Sequence, residues 1–173
     1  MGANAVPSDP DRPIRHYPHR FGRSSYQLAW YPVNFTVRVR TGSGDLTQDE
    51  MARTTADTME DSAADRDCSL IAWCVMPDHV HMLVCATDAG GDVQSFIELF
   101  KRRSARRLSK LGMVTPVWQK RYWDRHIRSG EDLDNVIEYL LMNPVREGLC
   151  DQPEDWPHSA FCGFPWTDSR EQA

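Results

Sequence analysis

Apolar and polar positions first alternate at Asn34 to Arg40 (NFTVRVR), where Phe35, Val37 and Val39 are separated by polar or basic residues. A period of two marks a strand with one buried face. After a Gly42-Ser43-Gly44 turn, Leu46 to about Ala64 is poor in strong apolar residues but rich in helix formers. Thr47 with Glu50 three residues on fits a capping box, which predicts a helix with an exposed acidic side. Cys68 to Met76 and His79 to Cys85 both read as strands, and the short Met76-Pro77-Asp78 junction should fold them into an antiparallel hairpin. Val93, Phe96, Ile97, Leu99, Phe100 and Leu108 then have helical spacing within Val93 to Leu111, with cations crowded toward the C-terminal half. Val117 to Ile127 is aromatic and basic and is expected to be extended. A last strong helix opens with Ser129 as cap and Asp132 in its first turn. It repeats Leu133, Val136, Ile137, Leu140 and Leu141 at i, i+3, i+4, i+7 and i+8 until Asn143-Pro144.

The order strand, helix, strand, strand, helix, strand predicts an α+β chain. It is a ferredoxin-like antiparallel sheet with helices on one face and an additional C-terminal helix that carries Tyr139. At 173 residues one domain is expected, over residues 26–166, with a flexible arm at 1–25 and a frayed tail at 167–173. The longest apolar stretch, Ser69 to Met76, is far shorter than the roughly 20 residues that span a bilayer, and Met1 to Arg20 lacks the apolar core of a secretory signal. These features predict no membrane partner and a cytoplasmic protein. The five cysteines form no CxxC pair and read as reduced thiols serving as small core residues.

The net charge of −5 argues mildly against nucleic acid as a partner, but it averages over a segregated chain. Between Gly91 and Gly130 stand Lys101, Arg102, Arg103, Arg106, Arg107, Lys110, Lys120, Arg121, Arg125 and Arg128, against Asp92, Glu98 and Asp124. The acids gather instead in Asp45 to Asp67 and from Glu147 onward, so one positive face on an acidic protein is expected. A charge run taken alone is most often a solvated helix face.

His79 and His81, at i and i+2 on a strand, leave the same face of the sheet, and two neutral imidazoles so placed can share one divalent metal. A strand histidine alone is more often structural, so the pair needs a third ligand. On the last helix Tyr139 and Asn143 lie four residues apart on one face, offering a phenol and an amide oxygen. Individually, such a tyrosine is usually core and an Asn before Pro is usually a helix stop.

Three motifs in order carry a resemblance. They are Met76-Pro77-Asp78-His79-Val80-His81, the run Trp118-Gln119-Lys120-Arg121-Tyr122-Trp123-Asp124-Arg125-His126-Ile127, and Glu138-Tyr139-Leu140-Leu141-Met142-Asn143-Pro144-Val145-Arg146-Glu147-Gly148-Leu149. From about Phe35 to Phe161, including Asp155-Trp156-Pro157-His158-Ser159, the chain resembles the REP-associated tyrosine transposases of the IS200-like HUH superfamily. The resemblance implies a ferredoxin-like fold that cleaves single-stranded DNA beside a folded REP-like hairpin and transfers the strand through a 5′-phosphotyrosine intermediate. It implies Mg²⁺ or Mn²⁺ as cofactor, with His79 and His81 as ligands, Asn143 as third ligand and Tyr139 as nucleophile. Lys101, Arg102, Arg103, Arg106 and Arg107, together with Lys120, Arg121 and Arg125 interleaved with Trp118, Tyr122 and Trp123, suit phosphates and stacked unpaired bases. His126 is expected to be structural or DNA-facing. The REP-associated branch implies a monomer, although relatives include dimers with shared active sites, and DNA binding would bring the protein to the nucleoid. The net acidity and an N-terminal extension with Arg12, Arg15, Arg20 and Arg23 depart from the family pattern. Two rival readings remain at this stage. One is a domesticated, non-catalytic hairpin-binding protein. The other is a metal-dependent phosphoesterase in which Tyr139 is only a core residue.

Overall fold

The computed structural model describes residues 26–87, 90–127 and 130–165. The predicted arm, the whole of the predicted tail and the Ser129 cap lie outside them. In chain order the elements are β1 (Val33–Arg38), α1 (Asp49–Ala64), β2 (Cys68–Val75), β3 (His79–Ala86), α2 (Val93–Lys110), β4 (Trp123–His126), α3 (Gly130–Leu141), a short α4 (Asn143–Arg146), a 3-10 turn (Pro153–Asp155) and β5 (Ser159–Phe161). The strands form one sheet in the order β4-β1-β3-β2-β5, and every pairing is antiparallel. The first four strands with α1 and α2 make the expected ferredoxin-like unit, and β5 extends it at the β2 edge.

Alternation along each strand divides the side chains between two layers. Val33, Phe35 and Val37 of β1 and Val80, Met82 and Val84 of β3 are buried against Met59 of α1 and Phe96, Ile97, Phe100 and Leu108 of α2. On the opposite face Leu83 and Cys85 of β3 join Ile71, Cys74 and Met76 beneath Leu133, Val136, Ile137 and Leu140 of α3. Strand β2 is thus covered on both sides, which is why its sequence is continuously apolar and does not alternate. Its register against β3 shifts between Leu70 and Ala72, so Ile71 is the extra residue of a bulge. Beyond it, Trp73 and Val75 fall into the α1/α2 layer while Cys74 falls into the α3 layer.

Three local expectations change. The capping box does not form, because the Asp45 carboxylate captures both the Thr47 amide (2.7 Å) and the Thr47 hydroxyl (2.6 Å); α1 therefore begins later, after Gln48, without a side-chain cap. Of the extended Val117 to Ile127 segment only Trp123–His126 is a strand, although Val117 and Gln119 bond to Arg40 and Arg38 and run on beside the end of β1. Acidic and basic segments do not separate onto different surfaces. Helix α1 packs beside α2, with Arg103 Nη2 2.5 Å from Asp65 and Arg107 Nη2 2.7 Å from Asp61.

Cys68, Cys74 and Cys85 are buried as expected, their thiols pushed up to about 12 chiefly by that burial. Cys150 is half-buried and Cys162 exposed, so these two are not core residues. Among the described residues no helix is long and apolar enough to cross a membrane.

Candidate metal centre and nucleophile

The two histidines are set at the start of β3, where the hairpin turn ends, and their imidazole Nε2 atoms face each other at 3.0 Å. The rings are nearly perpendicular, with centroids 4.7 Å apart. Each outer nitrogen has its own partner. His79 Nδ1 lies 2.6 Å from the Asp78 carboxylate, and His81 Nδ1 lies 3.0 Å from the Thr36 hydroxyl. Asp78 is itself 3.5 Å from the Arg38 guanidinium, and its carboxyl is held below the usual range, first by the His79 hydrogen bond. Burial, followed by the charges of His79 and Arg38, pushes His81 down to about 3, so its imidazole is neutral near pH 7.

This donor set fits a divalent cation. A proton on His79 Nδ1 satisfies Asp78, and one on His81 Nδ1 can be donated to Thr36. Both Nε2 lone pairs then converge on one point and repel unless a cation or a shared proton lies between them. Ligand histidines ordinarily give their second N–H to a carboxylate or other acceptor in this way. Among the described residues no further His, Cys, Asp or Glu completes a three-ligand cluster.

Helix α3 covers the same sheet face. Cys74, the cross-strand partner of His81, and Met76, whose amide bonds to the His79 carbonyl (2.8 Å), both belong to the apolar cluster beneath α3. Tyr139 is half-buried on that helix, and the Arg146 guanidinium sits 4.2 Å from its ring centroid, a cation–π distance. Asn143 is buried, and its amide nitrogen donates to the carbonyls of Tyr139 (3.1 Å) and Leu140 (3.2 Å). Those two acceptors fix which end of the carboxamide is nitrogen and commit it to capping α3. The carboxamide oxygen is the atom left to serve a ligand.

The predicted DNA-contacting cations fall into three groups. Lys101 donates to the carbonyls of Gln119 (2.8 Å) and Lys120 (3.1 Å), and Arg103 and Arg107 pair with α1, so these three are engaged by the protein's own acceptors. Arg102, Arg106 and Lys120, together with Lys101, line a groove of about 700 Å³ between α2 and the 115–122 segment. Arg125 is exposed on β4 and shares the histidine face, because its register partner is Asn34, which in turn pairs with Leu83. Arg121 is exposed in the segment before β4. The aromatic residues also divide. Trp118 is buried, its indole N–H bonded to Ser104 (2.9 Å), and Tyr122 packs on Phe35, whereas Trp123 is half-buried on the histidine face. His126 is buried edge-on to Tyr26 and is structural.

Sequence reasoning missed Thr36, Arg38, Asp78 and Arg146. Asp78 could have been suspected as a carboxylate next to a ligand histidine. Thr36 and Arg38 become neighbours of the histidines only through strand order.

Residues 26–141 match the family model described as transposase IS200 like. The chain is 30% identical over 129 residues to the REP-associated tyrosine transposase of Escherichia coli (strain K12), covering 73% of this chain and 74% of that protein. It is 31% identical over 101 residues to a Haemophilus influenzae protein given the same family name, covering 53% of this chain and only 57% of that one. Among solved structures it is similar to a REP-associated tyrosine transposase bound to a REP hairpin, with a TM-score of 0.70 at 24% identity, covering 86% of this chain and 83% of that one, a likeness of fold. With its ferredoxin-like sheet and paired histidines, the chain belongs to the IS200-like transposase family, among the REP-associated tyrosine transposases.

Proposed function

We infer that this chain cleaves single-stranded DNA beside a hairpin and rejoins it to another strand, with Tyr139 as nucleophile. The observation that carries this reading is the 3.0 Å convergence of the His79 and His81 Nε2 atoms on the sheet face covered by the tyrosine helix. The solved relative with a bound REP hairpin supports the choice of substrate.

His79 and His81 would hold Mg²⁺ or Mn²⁺, with the Asn143 carboxamide oxygen as third donor. An ion bound there supplies a positive charge that offsets the negative charge growing on an attacked phosphate. The Asp78 carboxylate holds His79 in the tautomer that turns its Nε2 lone pair inward, and the Thr36 hydroxyl can accept the Nδ1 proton of His81 when that ring does the same. The Tyr139 oxygen forms a bond to phosphorus while the bond to the 3′ oxygen breaks. The phenol proton is lost, and the departing 3′ oxygen gains one. The products are a 5′-phosphotyrosyl link and a free 3′-OH, and the link keeps the bond energy so that a second 3′-OH can displace the tyrosine without ATP. The Arg146 guanidinium, stacked on the ring, restrains Tyr139 and adds positive charge where the phosphate must approach. Helix α3 packs on β2 of its own chain, which favours a site whose histidines and tyrosine come from one copy.

A labelled single strand carrying a hairpin from beside the chain's own gene tests the reading. Cleavage at one position is expected with Mg²⁺ or Mn²⁺, and loss of at least about a hundredfold in His81→Ala. Equal cleavage in EDTA would remove the metal from the account. Hairpin binding with no cleavage under any metal would leave the non-catalytic binding protein as the better reading.

A further inference from the structure

Helix α3 lies over β2 and β5, and the β1/β4 half of the same sheet face carries a different set of side chains. Trp123 is absent from both apolar clusters of the described residues, and its neighbours Thr36, Arg38 and Arg125 are polar or cationic. Their positions follow from register. Trp123 pairs with Thr36, and Thr36 pairs with His81, so these three residues form one row across β4, β1 and β3. The 3.0 Å contact between Thr36 and His81 confirms that the side chains of this row share a face. Arg38 pairs with His79 in the next row on one side, and Arg125 pairs with Asn34 in the next row on the other.

We propose that this strip is a binding site for an unpaired nucleotide flanking the cleaved phosphate, with its base stacked on the Trp123 indole and its phosphate held by Arg125. Two features select this occupant. Trp123 is an aromatic ring only half-buried on a polar sheet face, and it is bracketed by cations, the combination that single-stranded nucleic acid uses. The strip also lies beside the histidines, whereas Arg102 and Arg106 belong to α2 on the other side of the sheet. Two strand spacings separate Trp123 from His81, roughly 10 Å between main chains. At a rise of about 3.4 Å per stacked nucleotide, the base on Trp123 lies within about three nucleotides of the phosphate at the histidines. A duplex hides its base faces, so the strip favours the unpaired flank over the hairpin stem.

This inference rests on the strand-transfer reading, and its test keeps the two apart. The full chain carrying Tyr139→Phe, in EDTA so that the DNA stays intact, is titrated with two fluorescein-labelled probes. One is a hairpin from beside its own gene with its single-stranded flanks, and the other is the same hairpin trimmed of them. The flanks should tighten binding, and Trp123→Ala and Arg125→Ala should each weaken the flanked probe about tenfold while the trimmed probe changes less than about twofold. Trp123→Phe should recover most of the loss, and Arg102→Ala should leave the flank's contribution intact. Flanks that add nothing, or variants that keep the full increment, would overturn the strip. So would a loss confined to Arg102→Ala and Lys120→Ala, which would route the strand along the α2 groove. If neither probe binds, the strand-transfer reading falls and the strip with it. Thermal melts show which variants fold, and Arg125→Ala, at an exposed position, carries the test if Trp123→Ala does not.

Discussion

The two faces of one sheet do different work. On the α1/α2 face, Val33, Phe35, Val37, Val80, Met82 and Val84 are fully buried, and the cations Arg103 and Arg107 are tied to carboxylates of the neighbouring helix. On the other face, the apolar packing beneath α3 draws on β2 and β3 side chains, with Ile127 and Trp30 joining it at the sheet's end. From His81 outward the positions are Thr36, Arg38, Trp123 and Arg125, which are polar, cationic or half-exposed. Because successive strand residues point to opposite faces, the two faces are interleaved residue by residue: Val80 joins the α1/α2 core while His79 and His81 on either side of it turn to the other face. A single face closed on both halves would be more stable and would have nowhere to place a substrate.

That contrast can be broken most forcefully in the core. Phe100→Ala, at a fully buried ring packed on Trp118 and Phe96, should cost about 3–5 kcal/mol in denaturant unfolding. Mn²⁺ affinity of the fraction that remains folded should not change. Asp78→Asn and Thr36→Val probe the other face. Each should weaken Mn²⁺ binding about 10- to 100-fold by calorimetry, with little change in Tm, because each frees one histidine to adopt the wrong tautomer. If both variants bind metal like the parent, the hydrogen bonds at His79 and His81 are incidental. A smaller effect is expected at the α2 N-terminus, where the Asp92 carboxylate accepts from the amides of Gln94 (3.0 Å) and Ser95 (3.1 Å); Asp92→Ala should lower stability by about 1 kcal/mol. The smallest belongs to Arg103→Ala, whose partner Asp65 is half exposed. Its loss should cost under about 1 kcal/mol and leave DNA affinity nearly unchanged, since that cation is already neutralised; a marked loss of affinity would restore it to the DNA surface.

How much of this was legible in the sequence follows the range of each interaction. The histidine pair was, because a period of two puts both side chains on one face whatever the strand pairs with. Tyr139 and Asn143 were expected on one helix face by the same kind of argument; the structure puts them on α3 and at the start of α4, with the Asn143 amide bonded back to the Tyr139 carbonyl. The sheet's core strands could be named from Phe35, Val37 and the hairpin. The row from Trp123 through Thr36 to His81 could not, since it joins three strands whose order and register are set by packing. Sequence also offered no sign that Arg103 and Arg107 would turn to Asp65 and Asp61, because α1 and α2 are brought together only by the sheet beneath them. The α1 start was misread for a local reason: Asp45 competes for Thr47 over two residues, a shorter closure than the three that the capping box requires. Trp118 and Trp123, five residues apart in one aromatic run, ended on different sides of the fold. Composition could not separate the core residue from the candidate stacking surface.

The central claim is that Tyr139 itself carries the DNA. The direct measurement is denaturing electrophoresis of the chain after incubation with an end-labelled single strand bearing its own neighbouring hairpin, with Mn²⁺ present, followed by mass spectrometry of the labelled peptide. The account predicts a covalent adduct that needs the metal, maps to Tyr139 and disappears in Tyr139→Phe. Cleavage that persists in Tyr139→Phe without any adduct would contradict it and would make the metal centre that of a hydrolase.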